Sequence, residues 1–328
     1  MFGLLRLLLL GLLIAMTLAV IAIVRQLRNP PRRTYASALR RNQPGDPSEL
    51  PPPLGPRAFR AFTFAAPRST RSAGTIQLPA WDIAADDPLG PVVLCTPGWG
   101  DSKLGVLARL APLLPHASRV IAWDPAGMGE SPADSRCNLG TDADVLALCA
   151  LAHACASPHT SPPAPLLLLG WSLGAGVSIV AASRLAQEGN APIAVIAEAP
   201  YRLGRTPVIN YLRAIGLPYR IVEPIAAACL GLTLRGTLDW STFDRARHAA
   251  GLPCPLLVIH GTLDAICPHE DGQRIAAAAP RSLFISIEGA GHNDLWSIRK
   301  FTDQCAAAIQ DFIRAVRPSS TTHARNPA

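Results

Sequence analysis

An apolar run, Pro165-Leu166-Leu167-Leu168-Leu169, leads straight into Gly170-Trp171-Ser172-Leu173-Gly174, and a helix-like run follows from Ala175 to Ala186. A strand that turns into a helix across five residues leaves the rest of the fold little freedom. The residues flanking the serine must be small, and Gly170 and Gly174 meet that need. Ser172 is then held in a strained backbone region with its hydroxyl lifted clear of the sheet. The following helix aims its N-terminus, and its partial positive charge, at that hydroxyl. Read alone, the pentapeptide is also compatible with a glycine-flanked turn and a chance serine. The surrounding chain has to decide.

From Pro91 onward that chain is regular. Apolar runs at Val92 to Cys95, Arg119 to Trp123, Ile193 to Ile196, Pro255 to Ile259 and Ser282 to Ile287 read as strands. Helical stretches at Lys103 to Leu114, Asp142 to Cys155, Gly272 to Ala279 and Leu295 to Val316 alternate with them. Continuous apolar strands alternating with helices imply a mostly parallel sheet covered on both faces, an α/β fold. Phe59 to Phe64 and Gly74 to Ile83 read as an antiparallel entry hairpin. Between Tyr201 and Leu252 the alternation fails. Two apolar stretches there, Val208 to Ile215 and Ile225 to Leu232, are too apolar to lie free in water. An insertion at the carboxyl end of a strand lands beside the site, so this stretch is expected to form a helical cap.

Open parallel sheets gather their functional groups beyond the strand carboxyl ends. Asp264 ends the strand two after the one that leads to Ser172, and His292 lies just past the last strand. A serine hydroxyl is a poor nucleophile until a neutral imidazole takes its proton. The imidazole in turn needs a carboxylate to fix its tautomer. Ser172, Asp264 and His292 supply the three groups, in the chain order known for the strand–elbow–helix arrangement. A developing oxyanion would need donors already in place. The backbone N–H of Leu173 is one candidate, and that of Trp99, in the loop after Val92 to Cys95, is the other. Glu198, also after a strand, is the rival acid. His260 reads as structural, and Asp294 as a brace for the His292 loop. His116, His153, His159, His248, His269 and His323 fall in loops, helices, cap or tail.

Four segments carry a resemblance to a known family. They are Asp124-Pro125-Ala126-Gly127-Met128-Gly129-Glu130-Ser131, Gly170 to Gly176, His260 to Asp264, and Gly291-His292-Asn293-Asp294. In their order and content residues 91–316 resemble the α/β-hydrolase superfamily. Within it the chain is similar to membrane-anchored serine hydrolases that include depalmitoylases, acyl thioesterases and esterases. The resemblance implies an α/β-hydrolase fold with a cap and cleavage of an ester or thioester through an acyl-enzyme. Two other readings use the same residues: a catalytically silent fold that binds or scaffolds, and a serine peptidase or acyltransferase. Relatives usually carry His-Gly where this chain has Pro97-Gly98, which bears on the shape of the oxyanion hole.

Composition matters mainly at the N-terminus. Leu7 to Val24 is uncharged over eighteen residues, roughly 27 Å as a helix and just enough for a bilayer core. Arg25, Arg28, Arg32 and Arg33 follow at once. A retained transmembrane anchor over residues 1–41 is expected, with a cleaved signal peptide as the competing reading. The positive-inside bias then puts the domain behind it in the cytoplasm. Residues 42–56, with six prolines and two glycines, read as a semi-rigid spacer to a domain spanning residues 57–328. The formal charge of +7 comes from seven arginines in residues 1–41; the other 23 basic residues match the 23 acidic ones. No nucleic-acid surface is implied. The eight cysteines show no metal-ligand spacing, and no nucleotide fingerprint occurs, so neither metal nor cofactor is expected.

Overall fold

Eight strands form one sheet in the computed structural model, which describes residues 2–68, 74–155, 164–234, 238–240 and 243–317. The chain opens with helices α1 (Phe2–Arg28) and α2 (Tyr35–Leu39), then β1 (Phe59–Pro67) and β2 (Thr75–Ala84), an antiparallel hairpin as expected. β3 (Val92–Thr96) follows. The stretch after it is a 3-10 turn, Lys103–Arg109, running into α3 (Leu110–Leu113). Then come β4 (Arg119–Trp123), α4 (Asp142–Cys155), β5 (Leu166–Trp171), α5 (Leu173–Gln187) and β6 (Ala194–Glu198). Helices α6 (Arg205–Ala214), α7 (Tyr219–Thr233) and α8 (Arg245–Ala250) fill the expected cap region. β7 (Leu256–Gly261), α9 (His269–Ala278), β8 (Ser282–Ile287) and α10 (Arg299–Val316) complete the described chain.

The strand order is β1-β2-β4-β3-β5-β6-β7-β8. Strands β3 to β8 are mutually parallel, and β2 runs antiparallel to β4. Strands β3, β5, β6 and β7 are buried from end to end. That is why they read as unbroken apolar runs and not as alternating ones. One core lies between the sheet and α4, α5, α8 and α9. The other lies between the sheet, residues 104–117 and α10, which buries Phe301, Cys305, Ile309, Phe312 and Ile313 along one stripe.

The strand order reverses at β3, because β4 lies on one side of it and β5 on the other. Loops leaving β3 and β5 diverge there and open a crevice, the usual place for a site in such sheets. Register makes this concrete. Thr96, the last residue of β3, pairs with Gly170 at the end of β5. The loop carrying Trp99 therefore starts beside the serine turn.

The N-terminal region is more closely tied to the domain than composition suggests. Between Leu4 and Leu18 the leucines and Ile14 of α1 are exposed. From Val20 on the helix docks: Val20, Ile23 and Leu27 are buried against Leu212, Val222, Ala226 and Leu230 of the cap. Residues 42–56 do not simply extend away from the domain, since Leu50 is buried in the second core and Leu54 packs against it. Proline content predicts a stiff chain, but not which apolar side chain finds a groove.

Candidate active site

Trp171 ends β5 and Leu173 begins α5, so Ser172 alone makes the turn. Its backbone sits at φ 54° and ψ −116°, a region that a non-glycine residue occupies only when its surroundings enforce it. The surroundings are tight. A Cβ on Gly170 would come 2.2 Å from the Gly174 carbonyl oxygen, and one on Gly174 would come 2.0 Å from that of Thr96. The Ser172 amide donates to the Glu198 carbonyl at 2.8 Å.

β7 and β8 are parallel to β5, so the residues after them arrive at the same edge of the sheet. There the His292 ring lies 2.7 Å through Nδ1 from Asp264 Oδ2 and 3.0 Å through Nε2 from Ser172 Oγ. An ionised carboxylate can only accept, so Nδ1 carries the proton and Nε2 accepts from the serine hydroxyl. The second oxygen, Asp264 Oδ1, accepts from the backbone N–H groups of Ile266 at 2.9 Å and Cys267 at 2.7 Å. Burial pushes the Asp264 carboxyl up, but hydrogen bonds from His260, His292 and Cys267 outweigh it and hold the group at about 2. Asp264 is thus ionised across the working pH range.

His260 is fully buried, with Nε2 2.8 Å from the Cys267 carbonyl and 3.4 Å from Asp264 Oδ2. A carbonyl only accepts, so Nε2–H is the donor, and His260 fastens the loop that carries Asp264. Glu198 is spoken for elsewhere. It is fully buried, and its Oε2 accepts from Arg109 Nε at 2.9 Å and from Trp296 Nε1 at 2.9 Å. Arg109 lies over the Trp171 ring, 3.9 Å from its centroid. Asp294 Oδ2 accepts from the Gly291 amide at 2.8 Å and so braces the His292 loop. His153 pairs with Glu188, and His269 bonds Ser286. His116 ends a 3-10 turn and His248 lies in α8. His159 and His323 lie outside the described residues.

Leu173 is the first residue of α5, and Trp99 follows β3 across the crevice. The Trp99 loop presses on the serine: a Cβ on Gly98 would lie 3.2 Å from Ser172 Cβ. Several neighbours of the site carried no sequence signal. Asp101 Oδ2 accepts from Trp171 Nε1 at 2.9 Å, Arg109 holds Glu198, and the Cys267 thiol is buried close to Asp264 and His292. The thiol lies well above its ordinary range because burial disfavours the thiolate. Ligand atoms of Asp264, Cys267 and His292 all lie within 4.8 Å of one another. With Asp264 spent on His292 and two backbone amides, the group is a hydrogen-bonded chain before it is a ligand set.

Residues 92–308 match the alpha/beta hydrolase family. Over 230 residues the chain is 25% identical to the lysophosphatidylserine lipase ABHD12 of Danio rerio, covering 67% of this chain but only 56% of that lipase. Over 264 residues it is 25% identical to the pimeloyl-(acyl-carrier protein) methyl ester esterase of Neisseria meningitidis, covering 70% of this chain and 80% of that esterase. Among solved structures, the esterase Pf2001 of Pyrococcus furiosus superposes with a TM-score of 0.62 at 18% identity, covering 88% of this chain and 97% of that one. That last likeness is one of fold.

Proposed function

Because the chain belongs to the alpha/beta hydrolase family, we propose that it is a serine hydrolase cleaving a carboxylic ester or thioester through an acyl-enzyme. The observation that carries this reading is the unbroken hydrogen-bonded line from Asp264 through His292 to Ser172. Ser172 Oγ attacks the acyl carbonyl carbon while its proton passes to His292 Nε2. Asp264, held ionised, stabilises the imidazolium that forms. The carbonyl electron pair moves onto oxygen, and the N–H groups of Leu173 and Trp99 receive the oxyanion. The α5 dipole acts in the same sense. Collapse breaks the bond to the leaving alcohol or thiol, which takes the proton from His292. Water then attacks the acyl-enzyme and gives a proton to His292; collapse breaks the bond from the acyl carbon to Ser172 Oγ, which takes that proton back, and the acid is released. Glycines at 170 and 174 let the strained serine exist at all.

The acyl substrate is lipid-like in this reading. α1 is the one helix among the described residues long and apolar enough to cross a membrane. Its free part, residues 4–19, spans about 24 Å, short of the roughly 30 Å of a bilayer core. A spanning α1 therefore draws the cap to the membrane surface. Ile215, Ile221, Ile225 and Leu232 of the cap are exposed and suit that position. The arginine flank favours a cytoplasmic domain. Two of its members also bind the fold, Arg32 to backbone carbonyls at 132 and 135 and Arg33 to Asp101.

A fluorophosphonate probe tests the chemistry. It is expected to label the full chain, and Ser172→Ala is expected to abolish labelling. Undiminished labelling of that variant would place the nucleophile elsewhere.

A further inference from the structure

The indoles of Trp99, in the loop after β3, and of Trp171, next to Ser172 in the chain, are both linked to residues 27–33, the first directly and the second through Asp101. Trp99 Nε1 donates to the Leu27 carbonyl at 2.9 Å. Leu27 lies in the last turn of α1, where carbonyls have no partner within the helix. Trp171 Nε1 donates to Asp101 Oδ2, whose companion Oδ1 accepts from Arg33 Nη1 at 2.9 Å. Between these two points Pro30 and Pro31 cross over Gly100: a Cβ there would lie 3.8 Å from Pro30 Cβ and 4.0 Å from the Pro31 oxygen. Both ends of the crossing are fastened. The Cys137 amide donates to the Arg28 carbonyl at 2.9 Å, and Arg32 Nη2 donates to the carbonyls of Pro132 at 3.0 Å and Ser135 at 3.3 Å.

We propose that residues 27–33 are positioning residues of the active site: the Leu27 carbonyl and the Arg33 guanidinium fix the Trp99–Asp101 loop, and through Asp101 the Trp171 side chain, against Ser172. The inference rests on the reading of Ser172 as nucleophile and Trp99 as oxyanion donor. Its physical basis is that a buried or half-buried indole N–H needs an acceptor, and each acceptor here belongs to, or is held by, the crossing segment. Without Arg33, Asp101 keeps its bonds from Trp171 and the Ser102 amide but loses its countercharge. The loop is then free to shift relative to the serine, and a displacement of about 1 Å in a reacting geometry costs roughly 100-fold in rate. The cost falls on the chemical step, because none of these contacts is made to the acyl group. Removing residues 1–41 as a simple anchor would also remove this support.

The experiment uses the full chain in detergent, with Arg33→Ala, Arg33→Lys, Trp99→Phe and, as a control for lost charge, the exposed Arg41→Ala. Trp99→Phe keeps a ring and the backbone N–H but deletes the bond to Leu27. For each protein the second-order rate of fluorophosphonate labelling, kcat and KM on a short nitrophenyl ester, and the melting temperature are measured. Arg33→Ala and Trp99→Phe are expected to lower labelling and kcat about tenfold or more, with KM within about twofold. Arg33→Lys is expected to recover part of the loss and Arg41→Ala to match the unaltered chain. A folded Arg33→Ala and Trp99→Phe that label at the unaltered rate would overturn the inference and leave the serine reading standing. An unaltered chain that takes no probe would overturn the serine reading, and this inference with it.

Discussion

Asp264 Oδ1 accepts from two backbone amides and Oδ2 from His292, so every lone pair facing the site is committed. Replacing it by asparagine keeps the volume and inverts the hydrogen-bonding of the ring, which then presents Nε2–H to the serine. Asp264→Asn is expected to lower kcat about ten-thousandfold. Glu198→Gln acts on a different quantity. It leaves Arg109 buried without its countercharge, which costs on the order of 3–5 kcal/mol of stability, while kcat at a temperature well below melting falls far less. The reverse ranking would move the acid one strand earlier. Stability against pH separates them further. The Asp264 carboxyl sits at about 2 when folded, below the ordinary value of about 3.9 in an unfolded chain. Its contribution, on the order of 2 kcal/mol, is present above pH 4 and is lost as pH falls toward 2. The melting-temperature gap between the unaltered chain and Asp264→Asn is expected to narrow over that window. A gap that stays constant from pH 6 to pH 2 contradicts the assignment.

The elements explain which residues sequence alone could find. Ser172, Asp264 and His292 follow the ends of β5, β7 and β8; the apolar runs of β5 and β7 are legible because both of their faces are covered, while β8 is the partly exposed edge strand. Their meeting follows from parallel strands sharing an edge, and the pattern of runs contains that much. Asp101 and Arg109 were invisible because their partners, Trp171 and Glu198, lie 70 and 89 residues away. Asp101 is a lone charge in a loop, and Arg109 a lone charge in an apolar helical stretch, until the fold pairs them. Helix boundaries differ for a similar reason. Lys103 to Leu114 reads as one helix, but a 3-10 turn takes its first half, where the Lys103 amide donates to Asp124 at 2.7 Å. Contact between elements also sets what the serine turn tolerates. A Cβ on Gly174 would strike the Thr96 carbonyl at the end of β3, a backbone atom that cannot rotate away. Gly174→Ala is therefore expected to push α5 and the β3 loop apart, lowering both melting temperature and kcat. Unchanged values for both would show the contact to be slack.

Across the whole molecule, the N-terminal helix, cap and site form a continuous series of contacts. α1 is free up to Leu18, docks on α7 from Val20 and ends against Trp99. The eighteen-residue apolar run was legible as a helix, and α1 is long and apolar enough to cross a membrane. Its docking was not legible, because composition does not say which face of a helix meets a partner. Full-length protein is expected to fractionate with membranes and to resist alkaline carbonate. Charging the exposed cap stripe, with Ile221→Asp and Ile225→Asp together, is expected to reduce turnover of long-chain acyl substrates in vesicles while sparing a soluble short-chain ester. Equal loss on both substrates would mean the cap face has no part in approaching a bilayer.

The proposed function stands or falls on whether Ser172 carries the acyl group during turnover. It is tested most directly by quenching the full chain in acid during steady-state hydrolysis of a nitrophenyl acyl ester, followed by peptide mass analysis. An added acyl mass is expected on the peptide containing Ser172 and is expected to be absent in Ser172→Ala. Turnover of the ester with the acyl mass on another residue would contradict the proposed function.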